Sequence, residues 1–388
     1  MVGPGGASLR DVARVAGCSH PLVIRHFGSK EHLVDAVADR LAADVTAAVD
    51  AAMASYEAPF EALLGAGRRQ RSHTQLLIRV GLGDLTTTAF PACLGLDRLL
   101  AMTEAALPPG RRAGSLRTRR CTYAAASLLL GWLTFEGFLV AATGLGSVEG
   151  ARRDEVVASA AGHLVGIAGG VEPQLVARRL RVVAVPSPTP SPPTATQRST
   201  ARDDLLDAAI DLFAARGPAS VSVREIGRLA EVNQGLIYRH FGSKSALLAE
   251  AIEQGSSGLF PAALAETGFD IDSVVSQMHH GSPAPRLIAR TLVDDIDIAS
   301  VRSDFPVLGA LLGAYPAVSR TSTSTSTGIA DPRMAVATAA AMVLGSVIWG
   351  AHLRGPLGLE RDSGVESAVA DLGRALLTLP TGPHPSAV

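Results

Sequence analysis

The chain repeats itself, and the repeat governs what it can fold into. Residues Gly3 to Lys30 align with Gly217 to Lys244 at a constant offset of 214, and 13 of the 28 positions are identical. The run Arg25-His26-Phe27-Gly28-Ser29-Lys30 returns unchanged as Arg239-His240-Phe241-Gly242-Ser243-Lys244. The offset recurs far downstream, where Leu130-Gly131 meets Leu344-Gly345 and Gly144-Leu145 meets Gly358-Leu359. Between these points the register slips, although Phe90-Pro91 still answers Phe305-Pro306. A duplication of this extent makes 388 residues two copies of one unit rather than one large core.

The copies read as all-α. Apolar residues make up 47% of the chain and aromatics only 4%, so the cores must be packed by Ala, Leu and Val. Alternating strand patterns are nearly missing. Residues 182–199 hold Pro186, Pro188, Pro190, Pro192 and Pro193 among Ser and Thr, and are predicted to form an extended polyproline-like linker. A Ser/Thr run, Ser319 to Gly328, reads as a disordered loop within the second copy. The resulting division is a motif-bearing domain at 1–43, a helical body at 44–181, the linker at 182–199, a second motif-bearing domain at 200–247, a second body at 248–380 and a tail at 381–388.

The second copy carries the complete motif. Thr200 is placed to cap a first helix with Asp203 and Asp204 in its first turn, which suits the positive end of the helix dipole. Gly217-Pro218 stops that helix. Ser222 caps a short second helix, Val223–Ala230, with Glu225 completing a capping box. After a tight turn at Glu231–Asn233, Asn233 caps a third helix, Gln234–Phe241, and Ser243 opens a long fourth. Two short helices joined by a three-residue turn form a helix-turn-helix. In its second member Ile237 and Phe241 face the core, leaving Gln234, Leu236, Tyr238 and His240 outside. The whole chain has a formal charge of −1, but Arg216 to Lys244 and Met1 to Lys30 each carry +3, so the electropositive surface that DNA needs is local.

Val223-Arg224-Glu225-Ile226, followed by Gly235-Leu236-Ile237-Tyr238-Arg239-His240-Phe241-Gly242-Ser243-Lys244, resembles the reader of the TetR/AcrR family. The resemblance implies a three-helix DNA-binding domain, then a larger helical domain that binds a small apolar effector and dimerises through its last two helices. It implies phosphate contacts from Tyr238, His240 and Lys244, with Gln234 and Leu236 facing base edges. Gln can bond adenine, and Leu can read only a thymine methyl. The candidate DNA-binding set in the second copy is Thr200, Ser222, Arg224, Asn233, Gln234, Gly235, Leu236, Tyr238, Arg239, His240 and Lys244. In the first copy it is Ser8, Arg10, Ser19, His20, Leu22, Arg25, His26 and Lys30.

The first copy departs from the motif. Its sequence opens in the loop that should follow the first helix, which suggests a true start upstream of Met1, the alternative being decay of this reader. Without that helix, Val12, Val23 and Phe27 would expose apolar faces. Pro21 replaces Gly235, which a first helical turn tolerates. Ile24 replaces Tyr238 and cannot donate to phosphate. Gly17 replaces Glu231 and suits a left-handed turn.

The bodies show no enzymatic constellation, no cofactor motif and no metal spacing. Cys18, Cys93 and Cys121 fit reduced cytoplasmic thiols, and Cys18 beside the recognition helix makes a redox switch conceivable. His279-His280 reads as an exposed loop. The apolar stretches Ser127–Gly146 and Val336–Leu353 read as buried helices rather than membrane spans; Gly131, Trp132, Phe135 and Phe138 in one, and Gly345, Ile348 and Trp349 in the other, suit close helix packing. The expected partners are double-stranded operator DNA, an unnamed small effector, and either the other half of the chain, as an internal pseudo-dimer, or a second chain. The competing reading is a helical small-molecule-binding or scaffold protein that has lost DNA binding.

Overall fold

The computed structural model describes residues 8–54, 59–69, 71–83, 95–108, 114–169, 201–257, 271–301, 305, 308–309, 311–313 and 331–377. All regular structure among them is helical. Thr200, Cys93, Phe90-Pro91, the Pro-rich linker, the Ser/Thr run and the tail lie outside the described residues.

Unit one runs α1 (Leu9–Val15), α2 (His20–Phe27), α3 (Lys30–Ala54), α4 (Pro59–Arg69), α5 (Arg71–Gly81), α6 (Leu96–Ala105), α7 (Leu116–Thr143) and α8 (Gly150–Ala168). Unit two runs α9 (Ala201–Arg216), α10 (Val223–Leu229), α11 (Gly235–Phe241), α12 (Lys244–Ser257), α13 (Ile271–His280), α14 (Ala284–Val293), α15 (Ile298–Val301), α16 (Pro332–Arg354) and α17 (Val365–Leu377). Continuous helices cross the 43/44 and 247/248 positions, so each reader is tied to its body by α3 or α12 rather than by a loop.

The centre of the molecule is the crossing of α7 with α16, one from each unit. Both helices are apolar nearly all round, as a helix must be when protein surrounds it. Ser115 caps α7 by accepting from the Thr118 N–H at 3.2 Å, and Gly144 ends it in the left-handed region. Asp331 caps α16 by accepting from the Arg333 N–H at 2.9 Å, with Pro332 in the first turn. At the crossing the two backbones touch. A Cβ on Gly131 would stand 1.9 Å from the Ala341 carbonyl oxygen, and one on Gly345 would stand 2.0 Å from that of Ser127. Around this contact Tyr123, Trp132, Phe135 and Trp349 are fully buried. The Tyr123 hydroxyl donates to the Ser346 carbonyl at 3.2 Å, and the Trp349 indole N–H donates to Thr134 Oγ1 at 3.2 Å, so the polar ends of both rings are satisfied across the junction. With α8 packed on α7 and α17 on α16, the last two helices of each unit form a four-helix bundle within one chain. Both apolar stretches are long enough for a membrane span by length and composition, and both are mostly buried in this bundle.

Polar contacts tie the rim. Arg120 grips Asp362 through two bonds at 2.7 and 2.6 Å, and Arg333 donates to the Gly144 carbonyl at 2.8 Å. Two arginines act reciprocally: Arg79 of unit one donates to the Val293 carbonyl at 3.4 Å, and Arg290 of unit two donates to the Leu82 carbonyl at 3.3 Å. The two bonds run in opposite directions across the same contact between α5 and α14.

The expectation of an exposed loop at His279-His280 is corrected. Both residues close helix α13, because Val274 and Val275 bury one face of the segment against the body. His279 is partly buried, with Nδ1 2.8 Å from the Val275 carbonyl and Nε2 3.2 Å from Ser346 Oγ; burial lowers its pKa. His280 meets Glu366 at 2.9 Å. Among the described residues no cluster of His, Cys, Asp and Glu could hold a metal ion.

Candidate nucleic-acid interface

Reader two is built around a continuous core: Leu205, Leu206, Ala209 and Phe213 of α9, Ile226 of α10, and Ile237 and Phe241 of α11 are all buried. The capping box exists as the spacing predicts. The Ser222 hydroxyl accepts from the Glu225 N–H at 3.3 Å, and the Glu225 carboxylate takes the Ser222 N–H at 2.8 Å. Arg216 adds a bond to the same carboxylate at 2.8 Å. The Ser222 N–H first, then Arg216, hold the Glu225 pKa down at about 2. This chain of contacts fixes the end of α9 against the start of α10, and so fixes the angle at which α11 is presented.

The turn between α10 and α11 needs a left-handed residue. Unit one supplies Gly17 at φ 66°, whereas unit two puts Glu231 there at φ 54°. A side chain in that region costs roughly 1–2 kcal/mol. Helix α11 begins at Gly235, one residue later than the spacing predicts, because the Asn233 side chain accepts from the Gly235 N–H at 2.8 Å and Gln234 occupies the cap position. Gln234, Tyr238, Arg239 and His240 are exposed, with Tyr238 at 57%. Arg224 is exposed at the start of α10, and neither Arg224 nor Arg239 enters an ion pair among the described residues. These side chains form one polar, basic surface around α11.

Two expected contacts sit differently. Leu236 is half-buried and packs against the core rather than standing fully outside, since it adjoins the buried Ile237 on a helix of under two turns. Lys244 is also half-buried: its ammonium donates to the Pro218 carbonyl and lies 6.0 Å from the Phe213 ring, and burial lowers its pKa. It braces the loop after α9.

In reader one, Ser8 and Asp11 form a matching capping box, with bonds at 3.2 and 3.1 Å. Arg10, Ser19, Arg25 and His26 are exposed, Leu22 is 41% exposed, and His20 and Lys30 are half-buried. Ser19 stands at the head of α2 without a capping bond, and Pro21 is accommodated in the first turn. Of the three apolar side chains expected to be uncovered, Phe27 is 36% exposed, Val12 is intermediate and Val23 is buried at 6%. Val23 is covered because α1 and α3 close over the inner face of α2. Phe27 is not, for a reason visible in unit two, where Phe241 is 6% exposed and Arg202 of α9 lies over its ring at 5.0 Å. No counterpart of α9 precedes α1 among the described residues.

Reader two is fixed to its body by contacts that no sequence motif marks. The Arg290 Nε–H donates to the Ala214 carbonyl at 2.9 Å, and Asp294 accepts from the Ala219 N–H at 2.8 Å. These contacts span about 75 positions, and no local spacing rule could reveal them.

Two segments, residues 2–37 and 205–251, match the family described as "Bacterial regulatory proteins, tetR family". The HTH-type transcriptional repressor Rv3405c of Mycobacterium tuberculosis is 32% identical over 171 residues, covering 44% of this chain and 85% of the relative. The HTH-type transcriptional repressor KstR2 of Mycolicibacterium smegmatis is 36% identical over 70 residues, 18% of this chain and 34% of that protein. The HTH-type transcriptional regulator AcrR of Shigella flexneri is 38% identical over 66 residues, 17% of this chain and 31% of that protein.

Proposed function

The chain belongs to the tetR family of bacterial regulatory proteins, and from that premise we propose that it is a cytoplasmic transcriptional repressor carrying two operator readers on one polypeptide. The observation that carries the proposal is the presentation of Gln234, Tyr238, Arg239 and His240 on α11, locked by the Ser222–Glu225–Arg216 contacts. Such a surface can lie in the major groove, with Tyr238, Arg239 and His240 positioning on phosphates and Gln234 facing base edges. Ser222, Arg224, Asn233, Gly235 and Leu236 support or flank that contact. Lys244 acts mainly as a brace.

Reader one contributes a second, weaker contact through Arg10, Ser19, Arg25, His26 and Lys30, with Ser8, His20 and Leu22 beside them. The bundle joining the units substitutes for the two-chain dimer of ordinary members, so the operator consists of two unlike half-sites. The bodies receive a small effector that weakens DNA binding.

Gel shift and footprinting on the DNA flanking the gene test this reading. Tyr238→Phe and Arg239→Ala should weaken binding on every sequence, and Arg239→Ala should also reduce the salt slope by about one. Gln234→Ala should cost about 1–3 kcal/mol and relax preference at one base pair. Unchanged affinity in all three variants would overturn the assignment of α11 as the reader.

A further inference from the structure

The two units enclose a crevice of about 490 Å³ whose wall is shared. Unit one contributes Ile78, Leu133 and Val140 to its apolar surface, and the last turn of α14 in unit two contributes Leu292 and Val293. The size is that of a site for a drug-sized molecule.

The polar part of the lining indicates what fits. Arg68, Glu136 and Arg153 line the crevice, and Glu136 pairs with Arg68 at 2.7 Å and with Arg153 at 3.1 Å. Arg68 also holds Asp154 through bonds at 2.5 and 2.6 Å, so two guanidinium groups face two carboxylates and the charges cancel. An ionic ligand finds no uncompensated partner, and its burial would be penalised. The Thr74 hydroxyl is turned to the Gly67 carbonyl at 2.9 Å, whereas the Gln75 amide makes no hydrogen bond among the described residues. A wholly apolar ligand would leave that amide unsatisfied.

The same turn of α14 that walls the crevice also holds reader two. Arg290 bonds the Ala214 carbonyl at the end of α9, and Asp294 bonds the Ala219 N–H just beyond it. The two contacts flank Gly217, whose φ of 86° marks the bend between α9 and the rest of the reader. Arg79 of unit one reaches the same Asp294 at 3.3 Å.

We propose that this inter-unit crevice binds an uncharged, drug-sized amphipath with hydrogen-bonding groups, and that unit two's reader senses its occupancy through Arg290 of α14 and Asp294 at the C-cap of that helix. The ligand rests mainly on unit one while the response belongs to unit two. The coupling half of the proposal rests on the reading of α11 as a DNA reader.

The test uses the full chain and two fluorescent probes: N-phenyl-1-naphthylamine, which is uncharged with one N–H donor, and 1-anilinonaphthalene-8-sulfonate, the same ring system carrying a sulfonate. The uncharged probe should saturate at one site per chain and bind at least tenfold more tightly than the anionic one. Leu133→Trp in unit one and Leu292→Trp in unit two should each weaken it tenfold or more. Gly137→Leu is a second filling variant, because a Cβ at Gly137 already points to Leu292 Cδ2 at 3.5 Å. Circular dichroism checks that the variants fold. Saturating probe should lower operator affinity at least fivefold, and Asp294→Asn should reduce that response below twofold while leaving probe binding within twofold. The cavity assignment is overturned if the uncharged probe does not bind, if both probes bind equally, or if the filling variants leave binding intact. A full DNA response in Asp294→Asn overturns the coupling. Probe binding of the expected kind by a chain that binds no DNA overturns the regulator reading and the coupling with it, while supporting the cavity.

Discussion

Glu225 shows how one side chain can set the geometry of a reader. Its carboxylate lies near the surface yet takes the Ser222 N–H and the Arg216 guanidinium, which hold its pKa at about 2 against an ordinary 4.5. Because the folded-state value is depressed, the stabilisation is complete above about pH 4.5 and is lost as the pH falls from there through about 2. Hydrogen-exchange protection of Val223–Leu229, corrected for the intrinsic rate, should therefore fall across that window. In Glu225→Gln it should be lower throughout and flat across it; equal slopes in both proteins would reject this account. Cys121 illustrates the opposite effect of environment, since burial pushes its thiol up to about 11 and keeps it protonated at neutral pH. Cys18 is half-buried in the turn before α2.

At the scale of elements, the two readers are a comparison made within one molecule. Phe241 is covered by α9 and Phe27 is not, so Phe241→Ala should destabilise its reader by about 3–5 kcal/mol, whereas Phe27→Ala should cost about half as much or less. Segment-resolved hydrogen exchange can compare them, and equal losses would show that α9 does not provide the difference. The α7–α16 crossing gives a sharper case. Gly345→Ala puts a methyl 2.0 Å from the Ser127 carbonyl, so the helices must separate; we expect a loss of at least about 1–3 kcal/mol, seen as a lowered melting temperature. An unchanged melting temperature would mean that the crossing relaxes freely. These elements were legible in the sequence to different degrees. Local chemistry announced the Ser222 cap, the Gly217 stop, the Gly17 turn and the two long apolar helices. The burial of Leu236, the tether on Lys244 and the helical state of His279-His280 depend on surfaces brought from elsewhere in the chain. The clip at Arg290 and Asp294 was invisible for the same reason: its partners are backbone groups, and a backbone group leaves no mark in a sequence.

For the whole molecule, the bundle of α7, α8, α16 and α17 joins the two units within one chain, and on the proposed reading it stands in for a two-chain interface. We therefore expect light scattering to find one chain on one operator, and footprinting to show two half-sites of different sequence. Two chains on a symmetric site, with no protection from unit one, would favour a homodimer of tandem chains. The junction has a further consequence for inheritance. Where two identical chains meet on an axis, one codon writes both sides, and every substitution strikes twice. Here Tyr123 of one half faces Ser346 of the other, while the position 214 residues after Tyr123 is Ala337. Trp349 fits over Gly81, with a Cβ there only 3.0 Å from the indole. Each side of the junction is spelled separately, so a large residue on one side can be matched by a small one on the other in two independent steps. A duplicated regulator of this kind can refine its seam, its crevice and its two half-sites one at a time, along paths closed to a symmetric dimer.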